Sequence, residues 1–353
     1  PESLQGQDLN GDGDLGQDRD GDGKISHWEA DNVIHVHDLE SGETRNLRDD
    51  GYPIAPIMTE DLRVSEHWLV YESGGSWQVH DLLSGATRDL RPAYGEGALL
   101  SVRWLVLPVS EISEGGQGQD LNGDGDLGKD WDGDGKISFS EADRVIHVHD
   151  LESAETWNPG LTGPDLQSEG PFEVSENWLL CECDGGLHVQ DLTSREARNL
   201  VPDARGASFA HLEAHWLVYL LPEASAGRDL NGDGDTQDEV LHVHDLESGE
   251  GRNLGLAVKG SLFYHVSLVA GNWLVIDVPE SLQGQDLNGD GDSKDWVLHV
   301  HDLETGQTRN LGMAADVFHW PWPWQIGHVW QNWLVFAALE EAQGEDLNGD
   351  GDR

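Results

Sequence analysis

The sequence predicts an all-β protein built from repeats, because two phrases alternate along it. The first is HVHDLESGETRNL from His35, with related forms that begin at Gln78, His147, His188, His242 and His299. The second is HWLVYE from His67, with related forms that begin at Arg103, Asn177, His215, Asn272 and Asn332. Both phrases are rich in β-branched and aromatic residues and alternate with period two, which is typical of strands.

Each repeat is predicted to contain four strands. A variable strand comes first, for example Leu262–Val269, and the Trp-Leu-Val strand follows. The His-Val-His strand and the strand ending Arg-Asn-Leu complete the repeat, and Ser-Gly or Thr-Gly pairs between them indicate a hairpin turn. Six repeats of four short strands predict a six-bladed β-propeller. A solenoid would space its repeats more evenly and cap its ends.

The whole chain, residues 1–353, is predicted to form one propeller domain. Five blades fall at about 49–91, 92–160, 161–201, 202–255 and 256–312, and the remaining blade is shared between 1–48 and 313–353. Pairing of N-terminal strands near Val33–His37 with C-terminal strands near Trp333–Leu339 would close the propeller and remove both free sheet edges.

These phrases resemble the TolB-like propeller repeat, in which a strand ending Asp-Leu-x-Ser/Thr-Gly precedes a strand ending Arg-x-Leu. The chain matches that pattern at Asp38–Gly42 and Arg45–Leu47 and at five equivalent places, so the resemblance covers nearly its whole length. It implies a six-bladed propeller and carries over no activity. The usual Pro-Asp-Gly turn before the second strand is replaced by triplets such as Ser65–His67.

Composition points to a cation-binding protein. The chain has 68 acidic and 20 basic residues and a formal net charge of -48, which disfavours nucleic acid and anionic membrane surfaces as partners. Clustered carboxylates repel one another unless a cation neutralises them. No stretch approaches the ~20 apolar residues of a membrane span. Cys181 and Cys183 are expected to be small buried apolar residues, because a disulfide between neighbours on one strand would be strained.

Two long loops each contain a twelve-residue calcium loop of the EF-hand type. Alternate acidic residues point inward, a glycine at position six allows the sharp turn, a lysine offers its backbone carbonyl, and a glutamate at position twelve closes the site. The predicted ligands are Asp18, Asp20, Asp22, Lys24 and Glu29 in the first loop, and Asp130, Asp132, Asp134, Lys136 and Glu141 in the second.

A shorter motif, Asp-x-Asn-x-Asp-Gly-Asp, occurs five times and resembles the compact calcium loops of integrin-type propellers and dockerins. Its predicted ligands are Asp8, Asn10, Asp12 and Asp14; Asp120, Asn122, Asp124 and Asp126; Asp229, Asn231, Asp233, Asp235 and Asp238; Asp286, Asn288, Asp290, Asp292 and Asp295; and Asp346, Asn348, Asp350 and Asp352. Asp18 and Asp130 are expected to close the first two sites. The alternative is a solvated acidic loop.

The role expected of calcium is to stabilise the loops. They connect strands rather than two helices, with at most one helical turn at Trp28–Asn32 or Ser140–Arg144, so a helix-opening sensor is disfavoured. The loops are predicted to lie between the second and third strands of their blades, and two blades lack them.

Other recurring residues are interpreted as scaffold. The His-x-His pairs, such as His35 and His37, favour packing over zinc binding, since glutamine replaces a histidine at Gln78 and Gln190. The repeated tryptophans are expected in the core between blades, and Asp38 is expected to pair with Arg45 across a hairpin. One irregular segment carries Trp320, Trp322, Trp324 and Trp330, which predicts either a local plug or an aromatic surface for a glycan or protein.

The function predicted from these features is that of a calcium-binding, non-enzymatic, extracellular structural or adhesive protein, because calcium is millimolar outside cells. The chain begins within a repeated motif and is expected to be an excised segment. Pro1–Asp14 repeats Pro279–Asp292, and Glu340–Arg353 is a further copy, which suggests head-to-tail assembly into filaments through calcium. The alternatives are glycan or protein binding at Trp320–Trp330, and a propeller hydrolase or lyase, although the sequence shows no nucleophile elbow and no P-loop.

Overall fold

In a computed structural model, the described parts of the chain are residues 24, 34–47, 62–73, 76–90, 98–112, 117–121, 123, 125–130, 133–138, 140–160, 172–183, 186–200, 207–258, 266–314, 327–330, 333–338 and 340–351. The chain divides into two compact units, Pro1–Gly170 and Pro171–Arg353. No helix in these ranges is long and apolar enough to cross a membrane.

The described residues of the first unit form three antiparallel sheets. The first sheet has two strands, β1 Ile34–His37 and β2 Thr44–Leu47. The second sheet has four: β3 Leu62–Ser65, β4 Trp68–Ser73, β5 Ser76–Asp81 and β6 Thr87–Leu90. The third also has four: β7 Leu99–Ser101, β8 Trp104–Ser110, β9 Arg144–Asp150 and β10 Thr156–Trp157.

Where the second unit is described, it forms four antiparallel sheets. The fourth sheet comprises β11 Phe172–Ser175, β12 Trp178–Cys183, β13 Gly186–Asp191 and β14 Ala197–Asn199. The fifth comprises β15 Ser208–Glu213, β16 Trp216–Pro222, β17 Glu239–Asp245 and β18 Gly251–Val258. The sixth comprises β19 Val266–Ala270, β20 Trp273–Pro279, β21 Trp296–Asp302 and β22 Gln307–Ala314, and the seventh β23 Gly327–Trp330 and β24 Trp333–Phe336.

The all-β class and the four-strand repeat are therefore confirmed. In every four-stranded sheet each strand pairs with its neighbours in sequence, which is the predicted order of variable, Trp-Leu-Val, His-Val-His and Arg-Asn-Leu strands. The register is the same from sheet to sheet: Trp68 lies opposite Asp81, Trp216 opposite Asp245. Such a register is fixed because a slip of one residue would exchange the buried and exposed faces.

Neighbouring sheets of a unit pack face to face through the apolar residues of their second and third strands. Between the fifth and sixth sheets, Trp216, Val218 and Val243 pack in one cluster with Ile276 and Leu303. The same positions form the cluster between the second and third sheets and that between the fourth and fifth. The expected core role of the tryptophans is met by the buried Trp68, Trp104, Trp178 and Trp216. Trp333 departs from it, because 69% of its surface is exposed.

The predicted pair of Asp38 with Arg45 is wrong. Arg45 lies opposite Val36 in the β1–β2 register, and its guanidinium donates a hydrogen bond to the Leu82 carbonyl of the next sheet. Asp38 instead accepts hydrogen bonds from the backbone N–H groups of Glu40 and Ser41 and so shapes its own turn. Asp38 and Arg45 were assigned to each other because they lie on the two arms of one hairpin. The arginine side chain is long enough to reach the adjacent sheet instead.

Short helices precede three of the acidic loops, where none was predicted. They are α1 Glu223–Ala226, α2 Glu280–Gln283 and α3 Glu340–Gln343. The turns at the ends of the first two need a left-handed residue, which Gly227 and Gly284 supply with φ of 65° and 61°. At Ser140–Arg144, where the sequence allowed at most one helical turn, the structure has no helix and Arg144 begins β9. Trp28–Asn32 lies outside the described residues.

Candidate metal-binding loops

The loop that joins β16 to β17 folds around the carboxylate of Asp229. Its Oδ1 accepts a hydrogen bond from the Gly232 N–H at 2.6 Å, and its Oδ2 accepts one from the Gly234 N–H at 3.0 Å. Both glycines have positive φ, 86° and 104°, which a residue with a Cβ adopts only under strain. The tight loop therefore depends on the Gly residues of the motif as much as on its acids.

The other polar side chains of this loop form hydrogen bonds with the loop's own backbone. The side-chain oxygens of Asn231, Asp233 and Asp235 accept hydrogen bonds from the N–H groups two residues further on, at 2.8–3.1 Å.

The same geometry is repeated in two more loops of the second unit. The Asp286 carboxylate accepts hydrogen bonds from the N–H groups of Gly289 and Gly291 at 2.6 and 3.0 Å. The Asp346 carboxylate accepts them from the N–H groups of Gly349 and Gly351 at 2.6 and 2.9 Å. Recurrence of one arrangement at three places shows that the motif itself dictates the loop.

A glutamate that the sequence motifs did not include fastens each of these loops; it is fully buried in the first two and half-buried in the third. Glu223 is completely buried, and its Oε1 accepts the Leu230 N–H at 2.6 Å while its Oε2 accepts the Asp238 N–H at 3.2 Å. One carboxylate thus ties together the start and end of the loop. Glu280 makes the equivalent bonds to Leu287 and Asp295, and Glu340 bonds Leu347 and Asn348.

The signal for this glutamate was present in the sequence, six residues before the first aspartate of each motif. In the third sheet the spacing changes, and buried Glu111 takes the role by accepting the Leu121 N–H at 2.7 Å. Because the spacing to Asp120 is nine residues there, a search at fixed spacing would not find it.

Each loop gathers three carboxylates whose oxygens lie within 4.8 Å of one another. The groups are Glu223, Asp235 and Asp238; Glu280, Asp292 and Asp295; and Glu340, Asp346 and Asp350. The first two contain a fully buried glutamate, and the third is more exposed.

The carboxylates within each group repel one another, and this repulsion adds to the effect of burial on their pKa values. Burial, followed by the negative charge of Asp233, raises the pKa of Asp238 to about 6. Burial and the charges of Asp290 and Glu280 raise the pKa of Asp295 in the same way. A divalent cation would remove this penalty, and an all-oxygen donor set suits calcium, magnesium or manganese better than zinc or copper. The residues therefore fit the predicted class of ion.

Asparagines attach the loops to neighbouring strands and helices. The Asn of the Arg-Asn-Leu phrase donates to the Leu carbonyl of the loop in its own sheet: Asn253 to Leu230 at 2.9 Å and Asn310 to Leu287 at 2.8 Å. Within the second unit, Asn231 donates to the Leu282 carbonyl, and Asn288 donates to the Ala342 carbonyl, both at 3.0 Å. Successive loops are thus joined through the helix that precedes the next loop.

The loop between β8 and β9 shows both predicted motifs where it is described. Asp120 and Asp130 each accept two glycine N–H groups, three and five residues on, as Asp229 does. Glu141, at position twelve, is buried and accepts hydrogen bonds from the N–H and hydroxyl of Ser138. Asp126 and Asp134 bond the N–H two residues on, and Lys136 is exposed.

Several predicted site residues lie outside the described residues. They are Asp8, Asn10, Asp12, Asp14, Asp18, Asp20, Asp22, Glu29, Asn122, Asp124, Asp132, Asp352, Trp320, Trp322 and Trp324, together with the side chain of Trp330. The first calcium loop and the aromatic segment therefore remain predictions.

The His-x-His pairs make the hydrogen bonds of scaffold residues. In His80, His149 and His301, Nδ1 shares a hydrogen bond with a threonine hydroxyl seven residues on, at 2.6–2.9 Å. In His242 and His299, Nδ1 donates to the carbonyl two residues before it, at 3.0 Å. The donor nitrogens of these two histidines are occupied, in keeping with the packing role predicted for the pairs.

No protein-family model and no curated protein matches the chain. Similar solved structures include an oligogalacturonate lyase in complex with manganese (16% identity, 81% of this chain and 72% of that chain, TM-score 0.38). Another is oligogalacturonate lyase from Vibrio parahaemolyticus (14% identity, 81% of this chain and 73% of that chain, TM-score 0.34). A third is the β-propeller domain of the Trilobed protease from Pyrococcus furiosus (12% identity, 71% of this chain and 70% of that chain, TM-score 0.36). TM-scores this low carry no argument about the activity of this chain.

Proposed function

We propose that this chain is a non-enzymatic repeat scaffold whose sheet-connecting loops bind divalent cations, with calcium as the ion, and that the ions fasten those loops. The observation that carries the proposal is the recurrence of three converging carboxylates at each fully described short loop. Holding three carboxylates within 4.8 Å of one another costs electrostatic repulsion, which a bound cation would offset.

In the loop of residues 223–238, Asp235 and Asp238, whose oxygens converge with those of Glu223, would hold the ion together with Asp229 and Asp233. The ion would supply positive charge to a group of carboxylates that otherwise repel. Glu223 keeps both ends of the loop in place through backbone N–H groups, and its charge adds to the attraction. Asn231 holds Asp238 by a hydrogen bond of 3.1 Å to its Oδ2.

The proposal includes a six-bladed propeller in which the sheets are the blades. It is supported by the content of the two-stranded sheets. β23 and β24 carry the phrases of a first and second strand, and β1 and β2 carry those of a third and fourth. Together they make one complete blade, closed by pairing of β24 with β1.

A calcium titration by calorimetry tests the site. We expect Asp238→Asn and Asp295→Asn each to remove one ion from the stoichiometry. The control is Glu247→Gln, which removes a negative charge at an exposed position outside the loops. Absence of binding at millimolar calcium, or a stoichiometry unchanged by both loop variants, would contradict the proposal.

We place the protein outside cells, where millimolar calcium would keep such loops occupied. Assembly of copies through calcium is the second part of this proposal. Sedimentation velocity in calcium and in a chelator tests it: calcium-dependent growth of large species supports assembly, and a monomer under both conditions rejects it.

Catalysis is the alternative function. The names of two matched structures make oligogalacturonides the first substrates to assay and manganese the first metal to add. Formation of unsaturated sugar product above the buffer rate, lost on chelation, would overturn the non-enzymatic proposal.

A further inference from the structure

Three of the candidate cation loops follow one another in the second unit, and a four-residue helix precedes each of them. We call them site I, site II and site III after their converging carboxylates: Glu223, Asp235 and Asp238; Glu280, Asp292 and Asp295; and Glu340, Asp346 and Asp350. The glutamate of each site is the first residue of its helix, α1, α2 or α3. The geometry of a site therefore depends on where its helix is held.

The asparagine of site I contacts both its own site and the helix of the next. Asn231 Nδ2 donates a hydrogen bond to Asp238 Oδ2 at 3.1 Å and another to the Leu282 carbonyl of α2 at 3.0 Å. Leu282 lies two residues after Glu280, the fully buried carboxylate of site II. One amide group thus joins a carboxylate of site I to the helix that carries a carboxylate of site II.

The same link occurs between site II and site III. Asn288 Nδ2 donates to the Ala342 carbonyl of α3 at 3.0 Å, and Ala342 lies two residues after Glu340. The turn that ends α3 also approaches the loop of site II, because a Cβ at Gly344 would lie 3.3 Å from the Cβ of Asp290. Since the link is made twice in the same way, it follows from the repeated motif and not from one local sequence.

The helices depend on such contacts, because four residues are too few to form a stable helix alone. In α2, the Gln283 amide donates to the Ala257 carbonyl of β18 at 3.3 Å. Leu282 packs against the apolar cluster that contains Leu230 and Ala257, and its carbonyl accepts the hydrogen bond from Asn231. These partners belong to the fifth sheet and its loop, although α2 serves the site of the sixth sheet.

We propose that sites I, II and III bind cations cooperatively, each ion raising the affinity of the neighbouring site through the asparagine between them. An ion at site I fixes Asp238 and with it Asn231, which then holds α2 and places Glu280 before the second ion arrives. Site II therefore binds its ion without the full ordering cost of its loop. This inference rests on the proposed cation binding and adds the regulation of those sites by one another.

Charge alone predicts a change of the opposite sign. Asp238→Asn is expected to remove one carboxylate and one divalent ion, which leaves site I more negative by one charge than the occupied parent site. A more negative neighbour attracts cations, so electrostatics would strengthen binding at site II. Loss of the fixed asparagine would weaken that binding, and the sign of the change therefore separates the two effects.

Terbium luminescence measures site II by itself. Trp296 directly follows Asp295, so terbium at site II is excited through this ring, and the part of the signal that Trp296→Phe removes belongs to this site. The calcium concentration that displaces terbium gives the calcium affinity. We expect Asp238→Asn to lower the calcium affinity of site II by about fivefold or more. Glu247→Gln, which removes one negative charge at an exposed turn of the fifth sheet, should leave it unchanged.

An affinity that is unchanged or higher in Asp238→Asn would overturn the coupling and leave the cation sites in place. Absence of a calcium-displaced signal from Trp296 would contradict the sites themselves, and the coupling with them. The two failures therefore give different results.

The reciprocal measurement guards against a local defect in the Asp238 variant. Glu239 occupies the position of Trp296 one repeat earlier, and each lies opposite a proline at the end of the second strand. Glu239→Trp combined with Trp296→Phe therefore moves the reporter to site I. Because coupling between two binding sites is reciprocal, Asp295→Asn in this background should lower the calcium affinity of site I by a similar factor. An effect in one direction only would overturn the coupling.

Discussion

At the scale of single residues, Asp238 shows that the loops contain carboxyl groups whose pKa is raised by their surroundings. Burial and Asp233 raise its pKa to about 6, so in the cation-free fold this carboxyl takes up a proton at a pH where an ordinary aspartate is ionised. A cation and a proton then compete for the same oxygens. We expect calcium affinity at this loop to fall as the pH drops through 6, with protons released on binding near that pH.

Calorimetry in two buffers of different ionisation enthalpy measures the released protons directly. Asp238→Asn provides the control, since an amide neither titrates nor repels its neighbours. The variant should lose the ion at this loop at pH 7.5 and, with it, the proton release near pH 6. Calcium binding without proton release at pH 6 would show that Asp238 is not at the ion.

At the scale of elements, a loop is stable only when it is attached to its sheet. Asn253 does this for the loop of residues 223–238: its Nδ2 donates to the Leu230 carbonyl and its Oδ1 accepts the Gly255 N–H. Asn253→Asp keeps the second bond and removes the first. We expect a loss of about 1 kcal/mol in unfolding free energy and weaker calcium binding at this loop.

The comparison with Asn253→Ala, which removes both bonds, separates the two contributions. If attachment of the loop matters most, the Asp and Ala variants should lose similar stability in denaturant titrations. If the turn at Gly255 matters most, Asn253→Asp should behave like the parent protein. Position 89 of the second sheet, which has only a short turn to attach, carries aspartate in place of this asparagine.

The elements also show which features a sequence can predict. The strands and hairpins were predictable because apolar residues alternate with period two within each recurring phrase. The acidic loops were predictable because carboxylates at alternate positions of a short loop are typical of cation binding. The role of Glu223 in fastening the loop was not predicted, because this residue belongs to a helix before the motif. The role of Asn253 was not predicted, because this residue lies in a strand that was interpreted as scaffold. Arg45 was assigned to the wrong partner because its acceptor, Leu82, belongs to another sheet. The alternation of residues within one hairpin does not indicate which residue of the next sheet a side chain will reach.

At the scale of the whole molecule, buried histidines make stability depend on pH. Among the described residues, desolvation lowers the pKa of seven histidines, and nearby arginines lower it further in five of them, as Arg88 does for His149. The group comprises His80, His147, His149, His242, His244, His299 and His301. They are neutral in the fold, whereas in the unfolded chain they take up protons near pH 6.5. The unfolded state therefore binds more protons as the pH falls, and acid favours unfolding.

We expect the thermal midpoint to be highest above pH 6.5 and to fall steadily between pH 6.5 and pH 5, with proton uptake on unfolding. His211 acts in the opposite direction, because its hydrogen bond to Glu173 raises its pKa, but it is one against seven. His301→Gln isolates a single contribution, since Gln190 occupies the same position in the fourth sheet. That variant should show a shallower decline, by up to about 1.4 kcal/mol per pH unit in unfolding free energy. A midpoint that is flat or rises toward pH 5 would mean that these histidines are not buried as neutral groups between the sheets.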